Sequence, residues 1–431
     1  MPGDLWSKIH GPSRSWNCAL FTRLVSVAES MSKSGVHADV AGSSAGPRGR
    51  IALLMISNFG VADGGRETWA YNFIPWLLER WPNVTLDIIG LHRAGQTDNS
   101  SRVRELLRER GSITFLHSSR KRFPLLSMLR RAPNELSRSR HRAPDLVIGV
   151  GSAIELLVIL ASPALRRAKR IVWLRTILTH ERAKQLPGWL GWIAHALEIR
   201  LLRTADLLIA NGDDTAVYYR QRGLEVSVIP NGVAADRWHS PPPLLSQPLR
   251  VAYIGRMVDV KGFPEFVAAA KRMHDDGKFE FHVIGEGPYD AEAARAHDEG
   301  WLIHHGPKPN SELPALVATM DVCVALTFKS SEGGGGGVSN GLLEQMAAGR
   351  AIIAWDTAIY TQLLDDTNAY LVPQGDIAAL ERALRDIIDR PDEARRRAAT
   401  AQKTAELFSF DAHLDKFTAV VEPLVAERCR S

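Results

Sequence analysis

Short apolar runs that end near glycine and give way to helix-favouring sequence recur along this chain, and that alternation restricts its fold more than any other feature. The first is IALLMI from Ile51, followed by the loop SNFGVADGG and the helical ETWAYNFIPWLLERW. VTLDIIGL (Val84 to Leu91), DLVIGVGS ending at Ser152, IVWLR (Ile171 to Arg175) and DLLIAN (Asp206 to Asn211) continue the series. Runs of this kind are strands buried on both faces, and strands alternating with helices build parallel sheets. A second series begins after the Pro-rich segment Pro241 to Pro248 with VAYIGR. It continues through FEFHVIGEGP (Phe279 to Pro288), DVCVAL from Asp321, AIIAWD (Ala351 to Asp356) and AYLVP (Ala369 to Pro373), with helical sequence from Ile377 to Arg397 and from Asp411 to Glu427. At 431 residues the chain is long for one core. The expected fold is α/β, two doubly wound Rossmann-like parallel-sheet domains facing a cleft. Residues 51–240 form the first and 241–410 the second, residues 1–50 an extension, and residues 411–431 a helix packing back toward the first domain.

Composition narrows the function classes. The chain is 45% hydrophobic with a net charge of +5 and a pI near 9.1, values of an ordinary soluble protein with a mild preference for anions. That balance falls short of a nucleic-acid footprint. Cys18, Cys323 and Cys429 lie far apart and form no C-x-x-C, which argues against a disulfide framework or a zinc site and fits a reducing cytoplasm. Residues 1–50 lack the apolar core of a signal peptide and read as a disordered extension or as sequence upstream of the true start. Residues 101–145 interleave Lys and Arg with apolar side chains, the pattern of a segment lying on anionic lipid or of a solvated helical face. Leu146 to Leu165 reaches the length of a membrane span, but Glu155 and Pro163 interrupt it, and a strand followed by a helix accounts for it.

Three stretches carry chemistry. In DVCVALTFKSSEGGGGGVSNGLLEQMAAGR, Asp321 to Arg350, a strand passes through a glycine-rich loop into a helix that starts near Ser339. Backbone N–H groups at a helix N-terminus, with the helix dipole behind them, favour an anion such as a diphosphate. Ser339 or Asn340 is the expected cap, and Glu344, one turn in, is placed to accept a ribose hydroxyl. In IGRMVDVKG, Arg256 and Lys261 bring a planar fork and a point charge to the end of a strand, a pairing suited to a diphosphate; the alternative is an ion pair with Asp259. In ADGGRETW, Gly64 and Gly65 sit at a helix entrance. His180, in TILTHERAKQL, follows the IVWLR strand at the end where parallel sheets build sites; an exposed loop histidine is the alternative. The G-x-G of GEGP is incomplete as a dinucleotide fingerprint.

These motifs resemble those of the family 4 glycosyltransferases. The resemblance is carried by GGVSNGLLEQMAAGRAIIA, by the Gly-Arg-x4-Lys-Gly spacing from Gly255 to Gly262, by Gly64, Gly65 and Glu67 as Gly-Gly-x-Glu, and by the I-P-N-G-V segment Ile229 to Val233. It covers roughly Ile51 to Glu427 and is denser in the second domain. The family signature places two Glu residues on either side of seven others. Glu344 matches the second, while the first falls on Gly336, leaving Glu332, four positions upstream, as the expected substitute.

The resemblance implies the GT-B fold and retaining transfer of a sugar from a nucleotide-diphosphate sugar to a polysaccharide, lipopolysaccharide or lipid-linked acceptor. The expected location is the cytoplasm, with peripheral contact to the inner face of the membrane, and no nucleic acid is expected as a partner. It implies catalytic roles for His180, Arg256 and Lys261. Donor contacts would come from Gly64, Gly65, Arg256, Lys261, Glu332, Glu344 and the loop residues Gly337, Val338, Ser339 and Asn340. No D-x-D sequence occurs, so no metal is expected and no cofactor beyond the donor substrate. A nucleotide-sugar epimerase of similar architecture, a non-catalytic sugar-nucleotide-binding relative and a basic membrane scaffold are the competing readings.

Overall fold

The computed structural model describes residues 49–428 apart from 58, 60–64, 94–99, 119–131, 133–135, 137–142, 176, 178–187, 244, 246 and 329–338. Two parallel sheets organise them. The first runs β3-β2-β1-β4-β5-β6-β7, with β1 Gly49–Met55, β2 Val84–Arg93, β3 Gly111–Ser118, β4 Leu146–Gly151, β5 Lys169–Leu174, β6 Leu207–Ala210 and β7 Ser227–Val228. The second runs β10-β9-β8-β11-β12-β13, with β8 Leu249–Ile254, β9 Phe279–Ile284, β10 Ile303–His304, β11 Val322–Ala325, β12 Ala351–Trp355 and β13 Tyr370–Val372. Strand order reverses between β1 and β4 and again between β8 and β11. Open α/β sheets bind ligands beyond the carboxyl ends of their strands at such points.

The apolar runs become these strands because both faces are covered: Leu53, Ile148, Ile171 and Trp173 are buried in the first core, and Val251, Val283, Val322 and Ile352 in the second. The span-length run from Leu146 resolves into β4 and the helix Ala153–Ala161. Its interrupting Glu155 is the N3 residue of a capping box with Ser152, whose backbone N–H donates to the carboxylate at 2.8 Å. Two elements differ from expectation. β3 lies inside the basic stretch 101–145, and helical sequence after Ile377 breaks at Arg390, whose backbone (φ −129°, ψ 63°) leaves the helix so that Pro391 can open a second one, Pro391–Glu406.

The two cores meet at a double crossing. The chain leaves the first core at Ile229 and enters the second at Val233 and Trp238, then returns between Phe408, packed on the second core, and Phe410, packed on the first. The two passages are bonded to each other: Val233 N–H donates to Phe408 O (2.9 Å) and Phe410 N–H to Val233 O (2.7 Å). A Cβ at Gly232 would lie 2.7 Å from the His413 Cβ and 3.1 Å from the Phe410 Cα, so the glycine of I-P-N-G-V is required by this contact. The start of the Pro-rich segment is bonded to elements of the second domain. The buried Arg350 guanidinium donates to Ser240 Oγ (3.1 Å) and to Pro241 O, and Ser240 Oγ donates to Ala348 O (2.7 Å).

The closing helix Phe410–Arg428 buries Leu414, Phe417 and Val421 in the first core. His413, on the same helix, accepts from Trp69 Nε1 at Nε2 (2.9 Å), so its Nδ1 carries the proton and donates to Pro230 O (2.5 Å). Burial drives its pKa down to about 3, with Arg175 adding in the same direction. Arg175 lies over the rings of Trp69 and Trp173 (5.0 and 5.1 Å) and donates to Asn231 Oδ1 at 2.5 Å. Burial first, and Arg66 second, bring that guanidinium down to about 9.

Candidate active site

The loops after β8 and β9 are fused by glycine. Gly255 N–H donates to Ile284 O and Met257 N–H to Glu286 O, both at 3.0 Å. A Cβ at Gly285 would stand 2.0 Å from Gly255 O and one at Gly287 2.4 Å from Met257 O. The G-x-G of GEGP therefore serves close packing of two loops, which holds Arg256 at the end of β8. Tyr253 Oη donates to Arg256 O (2.8 Å) and fixes the same turn from beneath.

Beyond Arg256 the chain makes a 3-10 turn, Asp259–Lys261, closed by Gly262 at φ +70°. A Cβ there would meet Leu326 O at 2.4 Å, so only glycine lets this turn sit against the exit of β11. The contact is bonded on both sides: Phe328 N–H donates to Val260 O (2.9 Å), Thr327 N–H to the buried Tyr360 Oη (2.8 Å), and Lys261 Nζ to Thr327 Oγ1 (3.3 Å). The loop after β8 thus carries both Arg256 and Lys261, braced by the loop after β9 on one side and by the exit of β11 on the other. Among the described residues neither cation has a carboxylate partner. Asp259, the alternative partner for Arg256, instead accepts a hydrogen bond from Tyr289 Oη. Burial lowers the Lys261 pKa, and the charge of Arg256 lowers it further. Such a pair is stabilised by an anion.

The helix Asn340–Ala347 opens beside them. Ser339 is its N-cap in extended backbone (φ −67°, ψ 128°), and among the described residues its side chain makes no capping hydrogen bond to the first amides. Glu344 sits one turn in. Burial pushes its carboxyl up to about 7, against the opposing influence of a hydrogen bond with Asn310 and the charge of Arg237. Arg237, on the single helical turn Ala235–Trp238 just past the crossing, donates to Asn310 O. Glu344, Asn340, Asn310 and Arg237 line a small recess together with Thr68, Trp69 and Asn72 of the helix Gly65–Arg80.

That recess adjoins a cleft of about 620 Å³. From the second domain come Gly255, Arg256, the Gly285–Gly287 turn, Lys308 and Asn310; from the first come Thr68, Tyr71 and Asn72 on the helix Gly65–Arg80, and Arg102 on the helix Ser100–Leu107. Arg102 lies 4.1 Å from the centre of the Tyr71 ring. Arg102, the first cation of the basic tract, thus lines the cleft, while residues 119–131, 133–135 and 137–142 of that tract lie outside the described residues.

Of the expected site residues, Arg256, Lys261, Ser339, Asn340 and Glu344 gather around the second sheet's switch point, and Gly65 opens the helix whose first turns line the cleft. Gly64, His180, Glu332, Gly337 and Val338 lie outside the described residues, as does Gly336. Sequence reasoning missed Arg237 and Arg102 as cleft residues, and it read the loop that holds Lys308 and Asn310 as a border of the nucleotide base without naming either residue. Arg237 follows the I-P-N-G-V segment by four positions, a signal that was present but unread.

Two family profiles match the chain, "Glycosyltransferase Family 4" over residues 63–237 and "Glycosyl transferases group 1" over residues 248–390. The 2-deoxystreptamine glucosyltransferase of Streptomyces kanamyceticus is 26% identical over 287 residues, 60% of this chain and 72% of that protein. The putative colanic acid biosynthesis glycosyltransferase WcaL of Escherichia coli (strain K12) is 25% identical over 196 residues, 43% of this chain and about half (48%) of the relative's length. Among solved structures, sucrose-phosphate synthase from Thermosynechococcus elongatus superposes with a TM-score of 0.68 at 17% identity, covering 88% of this chain and 100% of that one. Anabaena HepE in complex with UDP and glucose superposes with a TM-score of 0.65 at 14% identity, covering 86% and 98%. The fold is GT-B, and the chain belongs to the family 4 glycosyltransferases.

Proposed function

We propose that this glycosyltransferase moves a sugar from a nucleotide-diphosphate sugar to a glycan or lipid-linked acceptor of polysaccharide, lipopolysaccharide or glycolipid assembly, with the anomeric configuration retained. One observation carries the donor reading: Arg256 and Lys261 lie together at the β8/β11 switch point without a carboxylate partner among the described residues, where the helix Asn340–Ala347 follows β11. In the reaction the bond from C1 of the sugar to the diphosphate breaks and a bond from C1 to the acceptor oxygen forms. The acceptor proton leaves with the nucleoside diphosphate. Charge builds on the diphosphate as it departs, and fixed cations and amides aimed there lower the barrier without reorganising.

Glu344 holds the ribose in this reading, and Asn310 and Lys308 border the base. Gly64, Gly65 and His180 face the transferring sugar from the first domain, and Glu332 takes the sugar contact that Gly336 lacks. UDP and UDP-glucose, which related folds hold, are the first probes. The test incubates the protein with a panel of nucleotide sugars and a soluble glycan, with EDTA present, and follows the new glycosidic linkage by NMR. Transfer with the donor's own anomeric configuration is expected. Inversion would remove the retaining reading, loss of turnover on chelation the metal-free one, and epimerised donor without transfer the acceptor reading.

A further inference from the structure

We propose that the outer face of the helix Gly188–Leu202 docks the protein on an anionic lipid bilayer. The helix is Trp-rich, with Trp189 and Trp192 in the first turns. One side packs inward: Ile199 and Leu202 are buried in a cluster with Leu208 and Tyr219, and Glu198, the helix's sole acid, is buried and accepts from Tyr219 Oη at 2.7 Å. The other side faces water and is apolar as well. Trp192 is 71% exposed, Trp189 66%, Leu197 61% and Ile193 39%.

At helical spacing these four share one face, and Arg200 and then Arg203, just past the helix end, continue it. Both arginines are exposed, and neither pairs with a carboxylate among the described residues. A helix apolar all round is ordinarily buried. Single exposed apolar residues need no explanation, but a contiguous patch containing two tryptophans marks an interaction surface. The chemistry of the patch selects its occupant. Tryptophan places an apolar body and a polar N–H at the depth of lipid headgroups, and arginine attracts anionic ones. With 15 residues the helix suits lying in the interface, and no described helix is long and apolar enough to cross a membrane.

A helix that follows one parallel strand and precedes the next runs back along the sheet, so this helix, between β5 and β6, starts toward the carboxyl ends of the strands. Docking by this face sets the rim of the first domain at the headgroup layer, within reach of an acceptor whose hydroxyl end protrudes from a membrane. That consequence rests on the transfer reaction proposed above; the docking does not.

The test is flotation of the full chain with vesicles of phosphatidylcholine alone or mixed with phosphatidylglycerol. The wild type is expected to float with the mixed vesicles and to be released by salt. Trp189→Glu with Trp192→Glu is expected to abolish flotation. Arg200→Gln with Arg203→Gln is expected to weaken it about fivefold for each arginine lost near the surface and about 25-fold together. All four positions point to solvent, and unchanged UDP-glucose binding and melting temperature verify the fold of both variants. Wild type that fails to float, equal flotation with both lipids, or variants that float like wild type would overturn the proposal. So would a dimer that the tryptophan pair dissociates without any vesicle binding. Turnover on a soluble glycan, read without vesicles, separates failure of docking from failure of the proposed reaction.

Discussion

Glu344 offers the sharpest quantitative test of the nucleotide site. Its carboxyl is pushed up to about 7, mainly by burial, from an ordinary value of 4.5. The sign for stability follows: any stabilisation from the protonated form is complete below pH 4.5 and is lost as pH rises through 7. For binding the sign is opposite, because a ribose hydroxyl donates to a carboxylate and the ionised form must be present. With a pKa of about 7, roughly one molecule in ten is ionised at pH 6 and nine in ten at pH 8, so affinity should rise about tenfold, or 1.4 kcal/mol, across that interval. The probe must be UDP-glucose and not UDP, because a terminal phosphate itself titrates near pH 6. Calorimetry at pH 6 in buffers of differing ionisation enthalpy should detect release of close to one proton on binding. Glu344→Gln should bind more weakly at pH 8 and show neither the pH slope nor the proton release. A wild-type slope that survives in Glu344→Gln would assign the titration to another group, and a flat wild-type profile would refute the burial argument.

Other outcomes test the scaffold. Gly262→Ala combines a left-handed φ with a 2.4 Å approach to Leu326 O; it should cost about 1 to 3 kcal/mol in chemical denaturation and weaken UDP-glucose binding by displacing Lys261. His413→Ala leaves the Trp69 indole N–H and the Pro230 carbonyl unpaired and opens space, an expected loss of about 2 to 4 kcal/mol. With its folded pKa depressed to about 3, the neutral His413 contributes stability present above pH 6.5; about 1.4 kcal/mol is lost per unit as pH falls from there toward 3, and the Ala variant should lack that slope. Glu332→Gln should lower transfer at least tenfold; wild-type kinetics would leave Glu332 without a role at the sugar.

The second domain was the more legible half because its signals are local. The loops after β8 and β9 carry glycines that a nearby backbone requires, and Gly262, Gly285 and Gly287 mark those approaches in sequence order. Arg256 and Lys261 lie five positions apart, so one turn brings both to the site. Arg237, Arg102 and Asn310 are contributed by the crossing segment, by the first domain and by the loop after β10, and no local pattern joins them. β3 escaped notice as an edge strand, half-buried from Gly111 to Phe115, whose alternation is blurred within a basic stretch. The face of the helix Gly188–Leu202 was illegible for the opposite reason: apolar on both sides, it reads from sequence as core.

The central claim is that Arg256 and Lys261 hold the diphosphate of the donor. Equilibrium titration of UDP-glucose into the wild type, Arg256→Ala and Lys261→Ala tests it most directly. Loss of charge-assisted hydrogen bonds should weaken binding by about 1.5 to 3 kcal/mol in each variant, roughly 10- to 150-fold. Wild-type affinity in both variants, with the fold intact, would contradict the assignment of this switch point as the donor site.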